Sequence, residues 1–252
     1  MKRILKQLAA LIATALVLPA ALLCRLGIKV LGAEKAFPGW SQGFSFFPGL
    51  TGVYLRHAFY KLILPQCGDG ACLTFGTILS HPTATIGRNV YVGAYCSLGD
   101  VSLEDDVLLA SNVSVMNGSR QHGTARLDIP IREQAGVFER VTIGRDSWIG
   151  ERATIAANVG RHCIIGAGAV VTKPIPDYSI AIGVPARVIR DRRDSEGEAT
   201  REATREATRE ATREATREGE APAEPQRRSG FNEVRGSAGA SLIQARQEPR
   251  PP

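Results

Sequence analysis

The feature that most constrains this chain is a six-residue rhythm between positions 73 and 190. Aliphatic side chains, mostly followed by Gly or another small residue, recur as Phe75-Gly76, Ile86-Gly87, Val92-Gly93, Leu98-Gly99, Leu103-Glu104, Leu109-Ala110 and Val115-Met116. After a gap come Ile143-Gly144, Ile149-Gly150, Ile155-Ala156, Ile165-Gly166 and Val171-Thr172. From Ile86 onward a small side chain sits two positions before each aliphatic: Ala84, Val90, Cys96, Val101, Val107, Val113, Val141, Ser147, Ala153, Cys163 and Ala169. A helix repeats at 3.6 residues and a strand alternates at two; neither imposes six. A parallel β-helix of triangular section does. Each hexapeptide forms one flat side, the large aliphatic fills the axis, the small residue shares it, and Gly is expected to permit the corner backbone. Cys96 and Cys163 then fall in inward slots as packing residues.

The defects in the rhythm point to a site. Leu98 to Leu103 is one residue short of a side, and Ile155 to Ile165 is two short of a pair of sides, which predicts one tightened coil. Between Val115 and Val141 the rhythm stops, and Asn117–Arg140 forms an excursion of 24 residues. A loop this long inside a repeat domain is usually functional. It carries His122; of the other histidines, His57 lies on an apolar helical stretch, His81 precedes Pro82 at a corner and His162 lies in the shortened coil. Surface or packing duties are expected for those three.

Charge is unevenly placed along the 252 residues. The net +6 arises from residues 1–65 at +7, whereas 66–195 are neutral and the remainder carries −1. Basicity joined to an apolar segment points to an anionic membrane surface, not nucleic acid. Leu8 to Cys24 is free of charge, with Lys2, Arg3 and Lys6 before it and Arg25 and Lys29 after. A signal peptide, a single-pass anchor and a helix dipping into one leaflet all fit this pattern. A second apolar stretch, Phe44 to Leu64, places Leu50, Val53, Tyr54, Phe59, Leu62 and Ile63 at helical spacing with Arg56 and Lys61 off that stripe; it is expected to cap the β-helix. From Glu198 the unit Glu-Ala-Thr-Arg repeats five times to Arg217, and the rest is rich in Pro, Gly, Gln and Arg, as in a solvated, disordered tail. Five cysteines with no Cys-x-x-Cys argue against a disulfide framework or zinc ribbon, and free thiols fit a reducing compartment. The organisation expected is a membrane-associating segment (1–35), a helical cap (36–66), the β-helix (67–193) and a low-complexity tail (194–252).

The hexapeptide run, the stretch Ile143-Gly144-Arg145-Asp146-Ser147-Trp148-Ile149-Gly150 and the close Ile165-Gly166-Ala167-Gly168-Ala169-Val170-Val171-Thr172-Lys173-Pro174-Ile175-Pro176 together resemble the hexapeptide-repeat acyltransferases. So does the ending Gly183-Val184-Pro185-Ala186-Arg187-Val188-Ile189-Arg190. Within that group the chain looks most like the O-acetyltransferases of sugars and exopolysaccharides. The resemblance covers about residues 67–193 and implies a left-handed, all-β parallel helix and a homotrimer. It also implies transfer of acetyl from acetyl-CoA to a hydroxyl of a sugar or glycan, without metal. His122 matches the place of the catalytic His, in a loop leaving the helix one side before the Trp-containing coil. Trp148, Gly150 and Gly168 match positions lining the pantetheine groove between subunits. Thr172, Lys173 and Arg190 match the region that meets the nucleotide phosphates. Glu151 departs from the small hydroxyl residue found in relatives. Asn112 and Asn117 are candidate acceptor contacts.

The chemistry suits the residue type. A hydroxyl is a poor nucleophile until its proton is removed, and neutral imidazole can take that proton and then protonate the leaving thiolate. Asp128, Glu133 or a backbone carbonyl are candidates to hold the His122 tautomer. Acetyl-CoA places the β-helix in the cytoplasm, against the inner face of the membrane. A zinc enzyme needs three converging histidines, and none lies within twenty residues after the excursion. Transfer of another acyl group, N-acetylation of a sugar nucleotide, and a non-catalytic scaffold remain the alternatives.

Overall fold

A computed structural model describes residues 2–194 together with Glu206, Arg209 and Glu210. The expected disordered tail otherwise lies outside the described residues. The chain opens with three helices, α1 (Lys2–Leu31), α2 (Ala33–Ser45) and α3 (Gly49–Ile63), and continues as short parallel strands from Gln66–Cys67 onward. The break between α1 and α2 falls at Gly32, with φ 89°, a backbone conformation that only Gly adopts easily.

Three ladders form the sides of a prism. Along the first, Cys67, Ile86, Leu103, Ile143, Val159 and Ile175 stack in parallel register, one per coil. The second stacks Leu73, Val92, Leu109, Ile149, Ile165 and Ala181, and the third Leu79, Leu98, Val115, Ile155 and Val171. From Ile86 to Val171 these include every aliphatic read from the rhythm, but Phe75 is half-buried outside the ladders, and Leu73 and Leu79 hold the inward positions on either side of it. All eleven small-slot residues are buried as well. Ser147 is the polar exception, satisfied by donating to Gly160 O at 2.8 Å and accepting from Cys163 N–H at 3.0 Å.

The corners differ from the expectation. Residues with positive φ at the first two corners sit three before an inward aliphatic: Asn89, Asp106, Asp146, His162 and Tyr178 in one column, Tyr95, Asn112, Arg152 and Gly168 in the next. Most Gly residues that follow an aliphatic serve a different need. A Cβ on Gly150 would lie 2.5 Å from Ala167 N, and one on Gly144 would lie 2.6 Å from Arg161 N. They are small because the next coil's backbone passes there, not because of a left-handed turn. The third corner is the variable one, taking seven residues from Leu79 to Ile86 and five from Leu98 to Leu103. Both Ile155 to Val159 and Val171 to Ile175 take four residues, so the tightening recurs in two coils.

The helical cap also corrects the sequence reading. A turn at Phe46–Pro48 divides the second apolar stretch into the end of α2 and all of α3. Leu50 is exposed and Arg56 is fully buried. Arg56 Nε donates to Leu73 O at 2.9 Å, and Nη1 donates to Phe47 O at 2.7 Å and Phe44 O at 3.1 Å. Ser41 Oγ accepts from Leu79 N–H at 2.8 Å, and Ser45 O accepts from Gly76 N–H at 3.0 Å. The open edge of the first coil is thus closed by polar groups from α2 and α3, as an exposed strand edge requires.

Candidate functional site

The excursion leaves the prism at the third corner, after Val115, and returns at Val141. Its base is closed like a hairpin: Glu139 N–H donates to Asn117 O at 3.0 Å, and Val137 N–H to Arg120 O at 2.8 Å. Arg120 pairs with Glu139 at 2.6 Å. Arg140 anchors the return strand, reaching Asp100 at 3.2 Å and Thr83 O at 2.8 Å. Further out, Gln134 holds the arm across itself, accepting from Arg126 N–H at 3.0 Å and donating to Arg126 O at 2.7 Å. Where the two sides approach, a Cβ on Gly136 would lie 2.7 Å from His122 N, and a Cβ on Gly123 would lie 2.7 Å from Ala135 O. The glycines set the spacing that carries His122.

The His122 ring is exposed, and among the described residues no group of this chain hydrogen-bonds it. The two carboxylates considered for orienting it are engaged elsewhere. Asp128 is held by Arg126, which keeps its carboxyl below the usual range, and Glu133 lies beside Arg132 at 3.6 Å. Sequence reasoning missed Gln134, Gly136 and Arg140. Their signal was the pair of glycines, 123 and 136, placed across the excursion from each other.

The remaining candidates divide into groups by their place on the prism. Trp148 is half exposed on the outer surface of the second face, in line with Tyr91 and Leu108 on one side and Ile164, Ile180 and Arg190 on the other. At about 4.8 Å per strand, Arg190 lies roughly 14 Å along that row from Trp148. Gly150 and Gly168 flank the second corner; Gly168 has φ +68° and open space where a Cβ would stand. Thr172 and Lys173 are exposed at the third corner, the same edge from which the His122 arm departs, two coils further along. In a triangular section that edge is opposite the second face. The arm that bears His122 therefore leaves the prism at the edge opposite the face that carries Trp148.

Both asparagines have backbone duties. Asn112 holds a corner with φ 59°, and Asn117, 8% exposed, accepts the Asp100 N–H through its Oδ1 at the short step between Leu98 and Leu103. The other histidines are held in place. His162 stacks on Tyr178 with 5.0 Å between centroids and meets Asp146 at 3.0 Å, and His57 faces Gly68 O at 3.1 Å. The His162 contact lowers the Asp146 pKa, assisted by Arg192. Burial pushes the Cys96 and Cys163 thiols up, away from nucleophilic thiolates. Among the described residues no three His, Cys, Asp or Glu side chains converge as a metal site.

Comparison with known proteins finds relatives that share the repeat fold. Residues 140–173 match the family model described as bacterial transferase hexapeptide (six repeats), and 83–116 that of the hexapeptide repeat of succinyl-transferase. The two matches flank the excursion. The galactoside O-acetyltransferase of Escherichia coli K12 is 36% identical over 152 residues, covering 57% of this chain and 72% of that one. A probable acetyltransferase of Mycobacterium tuberculosis is 33% identical over 120 residues, covering 47% of this chain but 38% of its own. Among solved structures, a galactoside acetyltransferase in complex with coenzyme A superposes with a TM-score of 0.53 and 28% identity, over 61% of this chain and 78% of that one. A prism interrupted once by a histidine-bearing arm, with its two repeat blocks and a sugar acetyltransferase relative matched across most of its length, identifies this chain as a member of the hexapeptide-repeat acyltransferase family.

Proposed function

We propose that this protein transfers an acetyl group from acetyl-CoA to a hydroxyl of a sugar or cell-envelope glycan, with His122 as general base, and that it does so as a trimer held at the inner face of the membrane. The observation that carries the reading is the exposed His122, presented on a braced arm and without a hydrogen-bonding partner among the described residues. Such a ring is available to a substrate hydroxyl.

The residues fit the donor. Trp148, Ile164 and Ile180 form an apolar row suited to a pantetheine chain, and Arg190 and Lys173 supply cations for phosphates. Gly168 leaves a corner without a side chain. Because the His122 arm and the Trp148 row lie on different sides of one prism, a neighbouring copy is needed to bring an arm against a row. In the seam so formed, His122 takes the acceptor proton as the oxygen attacks the thioester carbonyl. The new C–O bond forms, the C–S bond breaks, and the imidazolium returns the proton to the thiolate. No residue is acylated.

The test is thiol release from acetyl-CoA with a panel of galactosides, envelope glycans and free serine. His122→Ala is expected to lower kcat about 10²-fold or more, with coenzyme A binding retained. An unchanged rate removes His122 as the base, and no release with any hydroxyl acceptor favours the scaffold reading.

A further inference from the structure

The sequence leaves open whether α1 spans, dips into or only touches a membrane, and the packing of α1 bears on this directly. Helix α1 is 30 residues, about 45 Å, and contains no acid. It docks on α2 and α3 through one stripe of modest side chains, Ala13, Val17, Ala21 and Cys24, each under 5% exposed. The opposite side carries the bulk: Leu8, Ile12, Leu22, Leu23, Leu26 and Val30 are all more than half exposed. In water the large side chains would face inward. Small residues toward a neighbouring helix and large aliphatics outward is the arrangement of a helix whose solvent is lipid.

The apolar surface continues off α1. Phe46 and Leu50, in and after the α2–α3 turn, are more than 70% exposed, and a groove of about 590 Å³ lined by Leu16, Trp40, Phe44, Phe47 and Leu55 runs beside the helix. Lys6 precedes the apolar run, and Arg25, Lys29 and Lys35 follow it, with Glu34 the single acid before residue 69. That charge pattern is complementary to anionic headgroups.

The other flank of α1 opposes a crossing. Gln7 and Thr14 line a groove shared with His57, Lys61 and Asp69. Lys61 and Asp69 pair at 2.6 Å with side chains 54% and 85% exposed, so the protein itself does not shield them from their surroundings. Thr14 is close to the midpoint of α1. Were α1 to cross the bilayer while docked, this ion pair would be drawn toward the hydrocarbon centre, where charges are expensive.

We infer that α1 lies in the plane of one leaflet as a monotopic wedge, its large aliphatic face in the acyl chains of an anionic membrane and its small-residue stripe on the cap, with the prism standing on the same side as both ends of α1. This rests on the membrane attachment included in the proposed function but does not depend on catalysis.

The experiment uses the full chain with epitope tags at its N- and C-termini, expressed in bacteria. Expected is a protein that sediments with membranes and has both tags protected from protease in intact spheroplasts. An N-terminal tag cleaved from outside, or removed during maturation, overturns the in-plane wedge while sparing or reassigning the attachment. A wholly soluble protein overturns both, including the case where a second copy covers the face and gives a larger soluble assembly. In vitro, Ile12→Lys/Leu22→Lys is expected to lower binding to phosphatidylglycerol-containing vesicles about tenfold or more, with circular dichroism and acetyl transfer to a soluble acceptor unchanged. Binding equal to the unsubstituted protein would remove the outer face of α1 as the contact.

Discussion

The prism and helix α1 use the hydrophobic effect with opposite polarity. In the prism, Leu73, Val92, Leu109 and Ile149 point to a dry axis, small slots alternate with them, and the outer surface carries ion pairs such as Arg88–Asp105 at 2.7 Å and Arg161–Asp177 at 3.0 Å. In α1 the small residues are inside and the Leu side chains outside. Both patterns minimise apolar contact with water, provided that the two regions have different surroundings. The difference teaches that the prism closes its large side chains around an axis, whereas α1 leaves its own on the surface.

The comparison is sharpened most by matched truncations. Ile149→Ala is expected to cost about 2–5 kcal/mol in denaturant unfolding, because it opens a cavity in a closed axis. Leu22→Ala, on the outer face of α1, is expected to change stability in detergent by less than about 0.5 kcal/mol. Equal costs would break the contrast. Next comes the joint between the regions. Arg56→Met keeps volume but leaves the carbonyls of Leu73, Phe44 and Phe47 without their donor, and is expected to cost about 2–4 kcal/mol. Hydrogen exchange should then accelerate in α2 and α3 before the distal coils; uniform loosening would argue that cap and prism unfold as one unit.

The smallest effect concerns acid. Arg88 lowers the Asp105 carboxyl, His162 that of Asp146, the Arg161 backbone N–H that of Asp177, and Arg193 brings Asp191 to about 2. Carboxyls depressed in the folded state stabilise it above their unfolded value, near 3.9, and lose that contribution as pH falls through the folded value. Melting temperature should be flat above pH about 5 and decline between about 4 and 2. A Tm that holds to pH 2 would leave these ladders without a role in stability.

How much was legible follows from what each feature depends on. The inward aliphatics from Ile86 to Val171, the eleven small slots and the limits of the excursion were readable because a coil repeats one local environment, so burial is periodic in sequence; the first coil was misread at Phe75, since Leu73 and Leu79 are the inward residues there. The corners were half readable. Gly150 was marked correctly as special but for the wrong reason, since the collision it avoids is with Ala167, a coil away. Arg56 was misplaced because its hydrogen-bonding partners, among them Leu73 O, become neighbours only when the cap closes the first coil. The arm that carries His122 was legible as a break in the rhythm, whereas Gln134 and Gly136 within it were not, because their partners lie across the arm.

The sequence by itself determined the prism, its phase and the point of interruption, since each is a repeating choice between buried and exposed made every six residues. Tertiary structure alone decided that the arm bearing His122 leaves from the edge opposite the Trp148 face, that Arg56 is an internal clamp, and that α1 turns its Leu side chains away from the protein. Those facts depend on which surfaces meet across long sequence separations, and no local periodicity encodes that.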